Sequence, residues 1–163
     1  MRIRRARPED LAGVGEVTVA AYADFTESDV DGYVDHLRDA ARRNREAEVW
    51  VATPDDSEAI LGTVTICPSG SPWREISKPD EGEFRMLAVA PSARGAGVGA
   101  ALVDLVVDRF RRDGARAIVI STLPVMRSAH RIYEHLGFTR APELDWSPTD
   151  SVHLIAYRLE LAT

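Results

Sequence analysis

Three glycines within seven residues, Arg94-Gly95-Ala96-Gly97-Val98-Gly99-Ala100, separate a run of strand character from an amphipathic helical stretch. The strand-like run is Glu83-Phe84-Arg85-Met86-Leu87-Ala88-Val89. This junction constrains the fold more than any other part of the chain. Glycine lets a backbone come close to a ligand, because no Cβ stands in the way. The first turn of the following helix leaves N–H groups unpaired and carries partial positive charge. Together these form a seat for phosphate, and for pyrophosphate in particular. The chain is therefore expected to hold a phosphorylated ligand on a strand–loop–helix unit.

Three phosphate-binding patterns compete for the loop. A P-loop closes its glycine run with Lys-Ser or Lys-Thr; here Ala100-Ala101 follow Gly99, so that pattern fails. Gly95, Gly97 and Ala100 formally satisfy the dinucleotide fingerprint. Its context is absent, because Ala90-Pro91-Ser92-Ala93-Arg94 intervene between strand and glycines. The next strand, residues 117–121, ends in Thr122-Leu123-Pro124 rather than in an acid for ribose hydroxyls. A nicotinamide oxidoreductase is thus a distant alternative. The third pattern, Arg/Gln-x-x-Gly-x-Gly/Ala, is filled by Arg94, Gly97 and Gly99.

A second block, Ala129-His130-Arg131-Ile132-Tyr133-Glu134-His135-Leu136-Gly137-Phe138, reads A-x-x-x-Y-x-x-x-G-F. With Leu87-Ala88-Val89-Ala90-Pro91 ahead of the glycine loop and this block behind it, the chain resembles the GNAT superfamily of acyl-CoA-dependent N-acyltransferases. The resemblance implies an α/β fold: one mixed, mostly antiparallel central sheet flanked by helices, in a single domain over residues 1–163. It implies acetyl-CoA as cosubstrate. Leu87, Ala88 and Val89 would bind the pantetheine arm by backbone, as an added strand does, beside a splayed neighbour. Arg94, Gly95, Ala96, Gly97, Val98, Gly99 and Ala100 would take the pyrophosphate through main-chain N–H groups, with the Arg94 guanidinium assisting. The family commonly carries Asn three residues before the helix Ala. Met126 stands there in this chain, and Ser128 would substitute in part.

Transfer of an acyl group from a thioester to an amine requires a neutral amine, a polarised carbonyl and a protonated leaving thiolate. Alkyl amines have pKa values near ~10.4, so a base is required. Glu83 sits at the start of the central strand, where several family members carry a catalytic glutamate; it is the candidate base, with Glu81 as the fallback. The competing role for Glu83 is a pair with Arg85 or a neighbouring strand. Alternation puts Glu83, Arg85, Leu87 and Val89 on one face and Phe84, Met86 and Ala88 on the other. Tyr133 matches the family tyrosine and is the candidate general acid; the alternative is a core tyrosine.

Of 163 residues, 45% are hydrophobic and 28% charged, the balance of a globular domain with a real core. The net charge of −6 disfavours nucleic acid as a partner and suits cationic substrates. No apolar run is long enough to span a bilayer, and no apolar region follows the basic start, so a signal peptide is not expected. The single Cys67 fits a reducing cytoplasm and reads as a buried packing residue. His36, His130, His135 and His153 show no metal-ligand spacing. No nucleophile–base arrangement is recognisable, which favours direct transfer.

Elsewhere the pattern predicts a helix opening at Pro8, a break over residues 22–25, and a second helix from a Ser28 cap to about Arg45. Val30, Tyr33, Val34 and Leu37 form its apolar side, and Arg42-Arg43-Asn44-Arg45 its solvated end. Residues 49–52 and 60–67 read as a hairpin. Residues 68–82 are a long loop of the kind that is often functional. The expected function is acetyl transfer from acetyl-CoA to a primary amine on a small molecule or peptide, with no metal and no nucleic-acid or membrane partner. The reading leaves room for a homodimer. The alternative is a non-catalytic acyl-CoA-binding sensor of the same fold. Tyr22, Phe25, Tyr33 and Trp73 are candidates to line the acceptor pocket.

Overall fold

The computed structural model describes residues 1–23 and 33–161. Phe25, Ser28 and Val30 lie outside the described residues, as does the side chain of Tyr33. The strands are β1 (Arg2–Arg5), β2 (Glu48–Thr53), β3 (Gly62–Cys67), β4 (Glu81–Val89), β5 (Ala117–Thr122), β6 (Thr139–Arg140), β7 (Trp146–Thr149) and β8 (Val152–Glu160). The helices are α1 (Leu11–Tyr22), α2 (Tyr33–Arg38), α3 (Ala40–Glu46), α4 (Val98–Arg112) and α5 (Arg127–His135). Strands pair in the order β1-β2-β3-β4-β5-β8-β6, with β7 also on β8. The β4–β5 pair is parallel, whereas β1–β2, β2–β3, β5–β8, β6–β8 and β7–β8 are antiparallel. This is the mixed, mostly antiparallel α/β sheet that the family resemblance implies. Among the described residues no helix is long and apolar enough to cross a membrane.

The described chain forms two compact units, Met1–Ile66 with Met86–Leu102, and Cys67–Arg85 with Val103–Thr163. In the first, β2 and β3 form the predicted hairpin, with Trp50 opposite Val64 and Ala52 opposite Gly62. Val14, Ala40, Val49 and Val51 are its buried centre, with Ala6, Leu11 and Ile60 packed against them. Gly15 marks a close approach within this unit, since a Cβ there would stand 2.4 Å from the Arg38 carbonyl oxygen.

Two expectations need correction in this unit. The helix predicted up to Arg45 is two helices, because Asp39 leaves the helical region (φ −79°, ψ 66°) and its side chain accepts the N–H of Arg42. That bond satisfies a first-turn donor and starts α3 afresh. Arg43, read as part of a solvated end, is buried at 1% exposure. Its Nη1 donates to the carbonyls of His36 (3.1 Å) and Leu37 (2.8 Å), which lie in the last turn of α2. Helix ends leave carbonyls without intrahelical donors, and a long guanidinium supplies them here.

In the second unit, β5 pairs with β8 along its whole length, from Ala117 opposite Glu160 to Thr122 opposite Ile155. Phe84, Ile118, Ile120, Phe138 and Tyr133 are buried. Gly82 is required by packing, since a Cβ there would stand 2.5 Å from the Phe110 ring. Gly114 ends α4: it has φ 77°, and the N–H groups of Gly114 and Ala115 reach back to the carbonyls of Arg111 and Phe110. That pair of bonds is a Schellman cap.

Candidate functional site

The glycine loop lies in the first unit. Gly95 and Gly97 adopt φ values of 82° and 79°, and a Cβ built on either would meet nothing within 4 Å. The conformation demands glycine while no neighbouring protein atom does, so the loop offers open backbone. Arg94, Gly95, Ala96 and Gly97 are exposed, Val98 and Gly99 are buried, and Ala100 is half-buried. The first intrahelical bond of α4 runs from the Ala101 N–H to the Gly97 carbonyl at 3.1 Å. Val98, Gly99 and Ala100 thus occupy the turn whose N–H groups helix geometry leaves unpaired. Open loop backbone and helix-end N–H groups are the kind of donors that can hold a phosphate group. Leu87 and Ala88 are buried and Val89 is half-buried.

The predicted alternation along β4 fails at Met86, which has a positive φ of 53°. A non-glycine residue there reverses the pleat, so residues before and after it do not share faces as simple alternation requires. The parallel register with β5 covers Glu81 to Glu83 opposite Ala117 to Val119. Leu87 follows the irregularity, and its carbonyl lies 3.5 Å from the Tyr22 hydroxyl. Tyr22 itself is buried.

In the second unit, Glu83 is wholly buried. Its pairing with Arg85 or a neighbouring strand is not what forms. Both carboxylate oxygens accept the Glu75 N–H at 3.1 Å, and Oε1 also accepts those of Ile76 (3.2 Å) and Ser77 (3.0 Å). Arg85 instead pairs with Glu75 through Nη2 and Oε1 at 3.1 Å and lies 5.3 Å over the Trp73 ring. Burial pushes the Glu75 carboxyl above the ordinary range; the Arg85 guanidinium opposes this and the Glu83 charge adds to it. Burial also acts to raise Glu81, but the Lys78 N–H and the Arg158 guanidinium more than offset it and hold Glu81 below the usual range. Trp73, a candidate for the acceptor pocket, is buried. Cys67 is buried as expected, and burial pushes its thiol up to about 12.

The Tyr-to-Phe part of the second sequence block has a physical reading. Gly137 has φ 98°, its N–H reaches the Glu134 carbonyl at 3.1 Å, and the Phe138 N–H reaches the Tyr133 carbonyl at 2.9 Å. This is again a Schellman cap, completed by the Phe138–Tyr133 ring contact at 5.8 Å. Tyr133 is buried and stacks edge-on against Phe84 at 5.8 Å. Among the described residues its hydroxyl has no hydrogen-bond partner. Burial, with a smaller contribution from Tyr157, pushes its phenol upward. Ser128 is exposed in the first turn of α5. His130 bonds to the Leu123 carbonyl (3.1 Å) and lies 3.3 Å from the Thr122 hydroxyl, a structural role with burial lowering its pKa. No group of metal-ligating side chains occurs among the described residues.

Glu83 and Tyr133 thus flank Phe84 in one unit, while Leu87 to Val89 and residues 94–100 belong to the other. Sequence reasoning missed Glu75 as the partner of Arg85 and Arg74 as a donor to the carbonyls of Cys67 and Glu81. The nearest signal was the length of residues 68–82.

Residues 16–138 match the Acetyltransferase (GNAT) family. The chain belongs to the GNAT acetyltransferase family. A mycothiol acetyltransferase of Geodermatophilus obscurus is 32% identical over 111 residues, covering 64% of this chain and 35% of that protein. One of Thermomonospora curvata is 33% identical over 98 residues, covering 60% and 32%. This GNAT chain spans about a third of the length of these relatives. A GNAT acetyltransferase structure from Staphylococcus aureus Mu50 superimposes with a TM-score of 0.75 at 16% identity, covering 99% of each chain. A GNAT acetyltransferase of Brucella melitensis, solved in complex with acetyl-CoA, has a TM-score of 0.66 at 22% identity over 99% of this chain and 88% of that one. These likenesses are likenesses of fold.

Proposed function

We propose that this GNAT chain is an acetyl-CoA-dependent N-acetyltransferase that acts on a primary amine of a small molecule or peptide in the cytoplasm, as one domain. The observation that carries the proposal is the glycine loop. Gly95 and Gly97 are held in a conformation only glycine takes readily, with open space where side chains would be, at the N-terminus of a long helix. Backbone donors of residues 95–100 bind the pyrophosphate, Arg94 assists, and Ser128 is a further candidate contact. Leu87, Ala88 and Val89 offer backbone to the pantetheine arm.

Transfer is direct. The amine nitrogen attacks the thioester carbonyl, the C–N bond forms and the C–S bond breaks. The amine proton passes to a carboxylate near the head of β4, and the departing thiolate takes a proton from Tyr133. Burial makes the phenol a weaker acid that stays protonated at neutral pH, and its unpartnered hydroxyl is free to donate as the basic thiolate leaves. A covalent route through Cys67 is disfavoured, since a buried thiol with a pKa of about 12 is a poor source of thiolate. Glu83 is the base that family likeness implies, but it is wholly buried and already engaged by the N–H groups of Glu75, Ile76 and Ser77. Glu81, committed to Arg158 and Lys78, is a weak base.

A thiol-release screen with acetyl-CoA against L-lysine, spermidine, glucosamine and an alanyl dipeptide tests the proposal. Acetyl-CoA binding by calorimetry together with thiol release on one amine is the expected result. Binding without release on any amine would leave an acyl-CoA-binding sensor.

A further inference from the structure

We infer that Glu83 is a positioning residue that holds the loop before β4, and that Glu75, the residue it grips with both oxygens, takes the proton from the attacking amine. The inference rests on the acetyltransfer reading and names the proton acceptor within it.

The two carboxylates differ in what their oxygens can do. Glu83 is fully buried and accepts the N–H groups of Glu75, Ile76 and Ser77. A group so placed fixes the loop, and catalysis depends on geometry that is held in place. Glu75 shares its backbone N–H with Glu83 and keeps its side chain 20% exposed. Its Oε1 pairs with Arg85, and among the described residues its Oε2 has no partner. Arg85 is itself fixed, lying over the Trp73 ring and standing two residues before Leu87 on β4.

The charged and titratable groups acting on Glu75 are Arg85 and Glu83 from β4, and Cys67 at the end of β3, whose own titration senses Glu75 and Arg74. Cys67 stays neutral at working pH, so Arg85 and Glu83 set the balance. Burial raises the Glu75 carboxyl, which brings a carboxylate closer to the pH at which a base works efficiently. The step balances: the ammonium acceptor gives one N–H proton to Oε2 of ionised Glu75, the freed lone pair attacks the thioester carbonyl, the C–S bond breaks as the thiolate takes the Tyr133 proton, and the second N–H proton lost as the amide forms passes through water to the Tyr133 phenolate. The carboxylic acid then returns its proton to water.

The test compares Glu75→Gln with Glu83→Gln by pH profile and amide exchange, using the panel amine of highest wild-type kcat/KM. With an ionised base and an ammonium substrate, wild-type kcat/KM is flat between the carboxyl pKa and the amine pKa. Glu75→Gln is expected to lose at least about 100-fold at neutral pH and to rise tenfold per pH unit until the amine is deprotonated. Amides 75–77 should stay protected in that variant, because the Glu83 carboxylate is untouched. Glu83→Gln is expected to keep the flat region at reduced kcat, while amides 75–77 exchange at least about 10-fold faster. A flat profile in Glu75→Gln overturns the inference, as does unchanged exchange in Glu83→Gln. Wild-type protein that binds acetyl-CoA but releases no thiol with any amine overturns the acetyltransfer reading and the proton role together. Amide exchange then still decides whether Glu83 holds the loop.

Discussion

Two loops flank β4, and they use their backbones in opposite ways. Residues 94–97, before α4, are exposed and held by positive φ at Gly95 and Gly97. Residues 68–80, before β4, turn several of their polar groups onto the chain itself. Glu83 accepts three of their N–H groups and Glu81 accepts that of Lys78. Arg74 donates to the carbonyls of Cys67 (3.0 Å), Pro68 (3.1 Å) and Glu81 (2.7 Å). Loop length is a weak guide to how a loop serves a site. Where the backbone donors go is the stronger guide, since buried donors are paired and open ones await a partner.

That contrast can be broken most directly at Gly97. Gly97→Val puts a β-branched side chain at φ 79° and fills open space, and should weaken acetyl-CoA binding on the order of 100-fold by calorimetry. Gly97→Asn, a residue that tolerates positive φ, separates the causes: an equal loss identifies steric exclusion, and a smaller one identifies backbone strain. Tyr133→Phe should lower kcat by about 100-fold with acetyl-CoA affinity unchanged. Its unpartnered hydroxyl also predicts nearly wild-type thermal stability.

The other loop should fail in the opposite sense. Arg74→Ala removes the guanidinium bonds to the carbonyls of Cys67, Pro68, Lys78 and Glu81, and should cost about 1–3 kcal/mol in denaturant unfolding while acetyl-CoA affinity holds. Equal damage to affinity would erase the distinction between the loops. The smallest effect concerns acid. Glu81 is held below the ordinary glutamate value, so its folded state binds the proton less readily than the unfolded chain. Its stabilising contribution is therefore complete above about pH 4.3 and drains as pH falls through the folded value. Unfolding of Glu81→Gln, followed by circular dichroism, should show a shallower loss of stability below about pH 4.3 than wild type.

The strand, the glycine loop and the capped helix around Tyr133 were legible because each depends on local residues. Gly95, Gly97, Gly114 and Gly137 sit at positive φ, and that requirement is written into residue type. The hairpin of β2 and β3 was legible through its turn and its apolar runs. The break at Asp39 was not, because aspartate is tolerated both inside a helix and at its cap, and only the carbonyls of α2 needing Arg43 decided between them. Met86 was likewise illegible, since no sequence pattern distinguishes a strand methionine from one at φ 53°.

The sequence by itself determined the family and the strand–glycine loop–helix unit, because the motifs and the glycine conformations that carry them lie close along the chain. Only the tertiary structure decided what the acids do. Glu75, Glu81 and Glu83 are the same residue type within nine positions, yet one is half-open beside Arg85, one is locked to Arg158 and one is buried against loop N–H groups. A carboxylate becomes a base, an anchor or an ion-pair partner through its burial and through the donors that reach it. Those donors are brought in by folding from residues that adjacency along the chain does not reveal.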